Sequence, residues 1–241
     1  MAGSSPRPPS EARKDRCRLV LVMTGDQLVE FGGHAASLFQ SACDAGDVAS
    51  IIIAQNTLEE HEFTPLLKPV LEATQPFETA VVIAGESRIA TRVGADGVQF
   101  GQNADDVREG VERLTPRMIV GAGNVRNRHA ALIIGEADPD YVFFGKAGDD
   151  TRPDPLPRNL DLAQWWAAMI EIPCIVLGGS SLQSVVAASA TKAEFVALGS
   201  AIFAPDADDN GPISEKTVAE RVAQANSLLD QHAPDLAADT P

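Results

Sequence analysis

Short apolar runs alternate with helix-spaced stretches along almost the whole chain. Residues 19–24 (LVLVMT) are continuously apolar, the pattern of a strand covered on both faces. Runs at 48–54, 79–84, 97–100, 118–120, 141–144, 174–177 and 195–198 repeat it. Helical spacing fills the gaps. It predicts helices over 33–45, from 58 with Thr57 as N-cap and Glu60 three residues on, and up to Gly94. Further helices are expected over 104–114, up to Gly135, over 160–170, through Leu182, Val185, Val186 and Ser189, and finally over 213–232. Eight strand-then-helix units with short links predict one parallel (β/α)8 barrel, the TIM barrel. The barrel is expected to span residues 17–232, with a disordered tail over 1–16 and a flexible one over 233–241.

An internal echo supports that arrangement. Asp96 to Gly101, Asp140 to Gly145 and Glu194 to Gly199 share one frame: an acid, a central valine and a terminal glycine. Each glycine would mark a strand's carboxyl end, so all three would face one mouth. The plainer alternative is coincidence among short apolar strands.

Composition narrows the class. The length of 241 residues fits one barrel of this kind. Aromatics make up only 5%, so Ala, Val, Ile and Leu must do the packing. Nineteen basic against 34 acidic residues give a formal charge of −15, which argues against nucleic-acid or anionic-membrane partners. Cys17, Cys43 and Cys174 have no metal-ligand spacing, and their odd number speaks against a disulfide framework. No apolar run reaches membrane-spanning length, and residues 1–16 lack a signal-peptide pattern. The expected compartment is the cytoplasm.

Candidate chemistry collects at the end of the chain. Gly178-Gly179 and Gly199-Ser200 follow neighbouring strands, where bare backbone N–H groups can cradle a phosphate. The alternative is that they only permit tight turns. The loop over 145–159 (GKAGDDTRPDPLPRN) is the longest connection and carries Lys146, Thr151, Arg152 and Arg158. Such loops usually serve function, although these cations could simply pair with Asp149, Asp150 and Asp154. Trp165-Trp166 on an outer helix would serve packing or an oligomer face, the alternative being a base-stacking site; a homodimer is a separate expectation. Asp149-Asp150 would repel and solvate, and the run from Asp206 to Gly211 is a fragment of a calcium-loop pattern.

These segments together resemble the thiamine-phosphate synthase/TenI superfamily. The resemblance runs over about residues 19–202. It rests on the segment 94–102 (GADGVQFGQ), on 140–145, on Thr151-Arg152-Pro153-Asp154 for the family's Thr-Lys-x-Asp, and on Gly178-Gly179 with 199–202 (GSAI). It implies a phosphorylated small-molecule ligand and the joining of an aminopyrimidine diphosphate to a thiazole phosphate, with loss of pyrophosphate. Carried over, Gly145, Gly178, Gly179, Ser200 and Ala201 would hold the phosphate. Thr151 and the catalytic candidate Arg152 would sit beside the pyrophosphate, where charge concentrates. Magnesium would fall to Glu86 and Asp105. The departures are specific. The family's Gln-x-Arg-x-Lys run after the second strand has neither cation around Gln55-Asn56. Its Asn-Asp pair reads Gly85-Glu86, and its Gly-Gln-x-Asp reads Gly101 to Ala104, with Asp105 one place late. A family serine is replaced by Gly123, and His129 lies beyond the histidine position of the TenI branch. A catalytically degenerate, ligand-binding or regulatory member is the alternative.

Overall fold

The structure, a computed structural model, describes residues 16–205 and 212–237. Its strands are β1 (Arg18–Thr24), β2 (Val48–Ala54), β3 (Ala80–Ala84), β4 (Gly97–Phe100), β5 (Ile119–Ala122), β6 (Tyr141–Phe144), β7 (Cys174–Leu177) and β8 (Phe195–Leu198). All neighbours pair in parallel, and β8 returns to β1 to close the barrel in sequential order. The helices are α1 (Gly25–Phe31), α2 (His34–Ala45), α3 (Glu60–Thr74), α4 (Ser87–Val93), α5 (Ala104–Leu114), α6 (Arg128–Gly135), α7 (Pro157–Ala167), α8 (Ser184–Ser189), α9 (Ser200–Phe203) and α10 (Glu215–His232). The expected (β/α)8 barrel is the fold observed. The calcium-like run from Asp206 to Gly211, the tail over 1–15 and residues 238–241 lie outside the described residues.

Alternation along each strand splits the core in two. Val20, Val22, Ile52, Val82, Phe143 and Leu177 belong to the cluster that fills the barrel, whereas Leu21, Ile53, Ile83, Val120, Phe144 and Val176 pack in the shell beneath the helices. Burial on both faces is why the strands read as unbroken apolar runs. The three cysteines are free and buried. Desolvation pushes the Cys17 thiol up to about 11 and raises Cys174 well above its usual range. They are packing residues.

Several boundaries differ from expectation, each for a local reason. Helix α1 was not expected, yet Thr24 and Gln27 form a reciprocal capping box. The N-cap of α3 is Glu59, boxed with Glu62, and not Thr57. Helix α7 starts at Pro157, whose fixed φ suits a first turn, and ends at Ala167 instead of residue 170. Strand β5 continues through Gly121 and Ala122, residues expected in a loop. The last helix starts at Glu215 behind Ser214, two residues later than expected.

The acidic echo closes the foot of the barrel. The carboxylate of Asp96 accepts the Val81 N–H at 2.7 Å, Asp140 accepts Val120 at 2.7 Å, and Glu194 accepts Cys174 at 2.8 Å. Each acid precedes an even strand and ties down the start of the odd strand before it. Asp47, which precedes β2, instead holds the Arg18 guanidinium at 2.8 Å. The repeat is therefore structural. Asp140→Ala is expected to cost about 1–3 kcal/mol, because the Val120 N–H loses a charged acceptor. Urea titration should show a lower midpoint with an unchanged slope; an unchanged midpoint would mean the tie contributes nothing.

Candidate functional site

The β6–α7 connection does not hang free as a solvated lid. It folds as a strap across the carboxyl end of the barrel. Gly145 has a φ of 151°, and a Cβ there would lie 2.4 Å from Leu177 Cβ, so glycine is required where the strap leaves β6. The Gly145 carbonyl accepts the Asn124 N–H at 3.0 Å. Ala147 is buried in the same cluster that fills the barrel. Gly148, with a φ of 87°, passes within 3.0 Å of the Thr24 methyl, measured from an ideal Cβ.

Beyond Gly148 the strap reaches the two glycine turns. Asp150 is only 3% exposed, and one of its carboxylate oxygens accepts the N–H groups of Gly199 at 3.1 Å and Ser200 at 2.5 Å. The Ser180 N–H donates to the Arg152 carbonyl at 2.7 Å, and the Ser181 N–H to that of Pro153 at 3.3 Å. The cradle is thus not bare. The Gly178 N–H continues the sheet to Ala197, and the Gly179 N–H is held by the Ser184 hydroxyl at 2.9 Å. A Cβ on Gly179 would meet the Pro153 carbonyl oxygen at 2.2 Å, so this glycine makes room for the strap backbone. Ala201 is buried in α9 and Ser200 half-buried.

The strap's cations behave differently from its acid. Lys146, Thr151, Arg152 and Arg158 are all exposed. Among the described residues none of the three cations pairs with Asp149, Asp150 or Asp154. Asp150 is the residue whose role the sequence concealed, since adjacent acids in a loop ordinarily only solvate. Beside the strap a cleft of about 390 Å³ opens, lined by Ser180, Ser181, Ser200 and Arg221 among others. Arg221 donates to the Ile202 and Ala204 carbonyls at 2.9 and 2.6 Å, shaping that rim. A larger depression of about 880 Å³ lies on the outer wall along α3 and α4, away from the mouth.

On the opposite side of the mouth the residues expected to meet magnesium are tied up locally. Gln55 spends its amide on the Leu58 carbonyl at 2.9 Å and sits against Gly85. Glu86 pairs with Arg88 at 2.6 Å, and Asp105 with Arg108 at 2.7 Å. Among the described residues no three His, Cys, Asp or Glu side chains come together. An arginine thus already engages each of the two expected magnesium ligands.

Below the strap lies a polar pair that sequence reasoning overlooked. Gln99, Gly121 and Tyr141 stand in one register row across β4, β5 and β6, and the Tyr141 hydroxyl donates to Gln99 Oε1 at 3.0 Å. Burial raises the tyrosine pKa, so the phenol stays a donor. A Cβ on Gly121 would fall 2.1 Å from the Tyr141 ring, and one on Gly123 2.4 Å from the Gln99 amide. The lack of a side chain at Gly123 thus leaves room for the Gln99 amide. The glycines at 121 and 123, two residues apart at the end of β5, were the available signal.

The tryptophans also separate. Trp166 is fully buried, donates its indole N–H to the Ile172 carbonyl at 2.7 Å and meets Phe144 edge-on at 5.8 Å. Trp165 is half-buried under the Arg128 guanidinium, 4.9 Å from its ring centre. The Trp166 half of the pair is packing, as the first of the two readings had it.

Comparison with known proteins identifies the chain's relatives. A family described as thiamine monophosphate synthase (TMP-TENI) matches residues 19–202. The thiamine-phosphate synthase of Erythrobacter litoralis is 30% identical over 152 residues, 62% of this chain and 71% of that protein. That of Hyphomonas neptunium is 28% identical over 195 residues, 79% of this chain and 87% of its own. Among solved structures, the thiamine phosphate pyrophosphorylase of Pyrococcus furiosus superposes with a TM-score of 0.69 at 18% identity, covering 92% of this chain and 99% of that one. At that identity the likeness concerns the fold.

Proposed function

Because the chain belongs to the thiamine monophosphate synthase family, we propose that it binds a phosphorylated thiazole-type small molecule at the β7/β8 rim of the barrel mouth. One observation supports this reading above all. The Gly199 and Ser200 N–H groups converge on a single anionic oxygen, supplied by Asp150. Two donors on one oxygen make a seat that a phosphate oxygen can take in turn. The cleft beside it, between Ser180, Ser200 and Arg221, offers room for the rest of the ligand.

On this reading the finer activity is that of the relatives' name: transfer of an aminopyrimidine group onto the thiazole phosphate with release of pyrophosphate. Thr151 and Arg152, exposed on the strap, are the groups that would meet the leaving pyrophosphate. The test is pyrophosphate release when both substrates are supplied. Arg152→Ala should weaken a diphosphate ligand about tenfold and a monophosphate much less, since one charge-assisted contact contributes roughly 1.5–3 kcal/mol. Equal losses for both ligands, read by calorimetry, would place Arg152 elsewhere.

A second reading rests on a separate observation. Gln55 stands without the family's cations, and Glu86 and Asp105 face arginines. A member that binds the phosphorylated ligand without turning it over would show thermal stabilisation but no pyrophosphate release. At a hundredfold excess over Kd the stabilisation is about 2.7 kcal/mol, on the order of 5–10 °C for a domain this size.

A further inference from the structure

We propose that Asp150 is a built-in anion that competes with the ligand's phosphate for the Gly199 and Ser200 N–H groups, so that binding requires the 145–153 strap to lift. The inference rests on the phosphate seat argued above and adds what controls access to it. The Asp150 carboxylate is almost fully buried, and among the described residues it meets no Lys or Arg; backbone N–H groups hold it. Its contacts are those an incoming phosphate oxygen would need. The two anions cannot share the seat, because both need the same N–H groups and like charges repel strongly where water is excluded.

The strap is built to be fastened and to be released. Its fasteners are the two Asp150 contacts and the Ser180 and Ser181 N–H groups on the Arg152 and Pro153 carbonyls. The apolar plug that goes with them is a single alanine, Ala147, whose exposure costs little compared with a large side chain. Glycines at 145 and 148, both at positive φ, flank that plug. They are the positions best able to absorb a backbone rotation. Lifting the strap also carries Thr151 and Arg152 away from the rim, so access to the seat and the placement of these two residues are coupled. The apparent affinity is lowered by the fraction of molecules with the strap raised.

The experiment is calorimetric titration of thiazole phosphate into the full chain, into Asp150→Ala and into Asp150→Asn. The asparagine keeps the shape and an acceptor oxygen, so it guards against a variant that fails to fold. The expected result is at least tenfold tighter binding to the alanine variant and a smaller gain for asparagine. Hydrogen exchange should show the Ser180 and Ser181 N–H groups, whose acceptors are the Arg152 and Pro153 carbonyls of the strap, losing protection when the unaltered chain is saturated. Binding by the variants alone, with none measurable in the unaltered chain, is the strong form of the same result. Equal affinities in all three proteins, or weaker binding in the variants, would overturn the competition and leave the phosphate seat standing. Absence of binding in all three would overturn both.

Discussion

Trp166→Ala is expected to lower the unfolding free energy by about 3–5 kcal/mol, the range for emptying a large buried aromatic site. The indole is fully buried, meets Phe144 edge-on, and its ring edge lies 3.0 Å from where a Cβ on Gly135 would stand. It therefore ties α6 to β6 and α7, the two elements between which the strap runs. The substitution also leaves the Ile172 carbonyl without its donor, adding roughly 1 kcal/mol. Against a total stability of about 5–15 kcal/mol, this is a severe loss. Trp166→Phe keeps most of the ring and should cost roughly 1–2 kcal/mol, largely the lost hydrogen bond. Urea denaturation distinguishes the two; an alanine variant less than 1 kcal/mol below the parent would show that the site collapses around the gap.

Substitution of Gly179 should have the largest effect on ligand binding. Any Cβ there would meet the Pro153 carbonyl oxygen at 2.2 Å and its carbon at 2.6 Å, both backbone atoms. Backbone contacts this short are relieved only if the strap moves. Gly179→Ala and Gly179→Asp should both cost about 1–3 kcal/mol by overpacking, and both should release the Ser180 and Ser181 N–H groups to exchange. They diverge with ligand. The alanine variant, its strap displaced, should bind thiazole phosphate more tightly than the parent. The aspartate variant places a fresh carboxylate beside the seat and should abolish the ligand-induced melting shift. If both variants bind like the parent, the strap does not govern the site.

The barrel was legible because most of its strands are buried on both faces. Strands β2, β4, β6, β7 and β8 coincide with their apolar runs residue for residue. Gly121 and Ala122 escaped because glycine in a strand reads as a loop, and only the ring of Tyr141 explains it. The α1 cap was legible in principle, since Thr24 and Gln27 have capping-box spacing. Helix α9 is four residues long, too short for any periodicity. The glycine turns were found where expected, at the ends of β7 and β8. What lay over them was not legible. Asp150 and Ser200 are fifty residues apart, and the side-by-side pairing of β6, β7 and β8 brings them to 2.5 Å. In sequence, Asp150 is one of two adjacent acids in a polar loop; in the fold, Asp149 is exposed and Asp150 buried.

The central claim is that the Gly199 and Ser200 N–H groups form the phosphate seat. It is tested most directly by following the backbone amide resonances of the isotopically labelled chain as thiazole phosphate is added. The account predicts that the Gly199 and Ser200 amides show the largest shifts, with those of Ser180 and Ser181 moving as their strap acceptors leave. The unphosphorylated thiazole alcohol should leave the first two in place. Shifts confined to the depression along α3 and α4, with Gly199 and Ser200 unmoved at saturation, would contradict it.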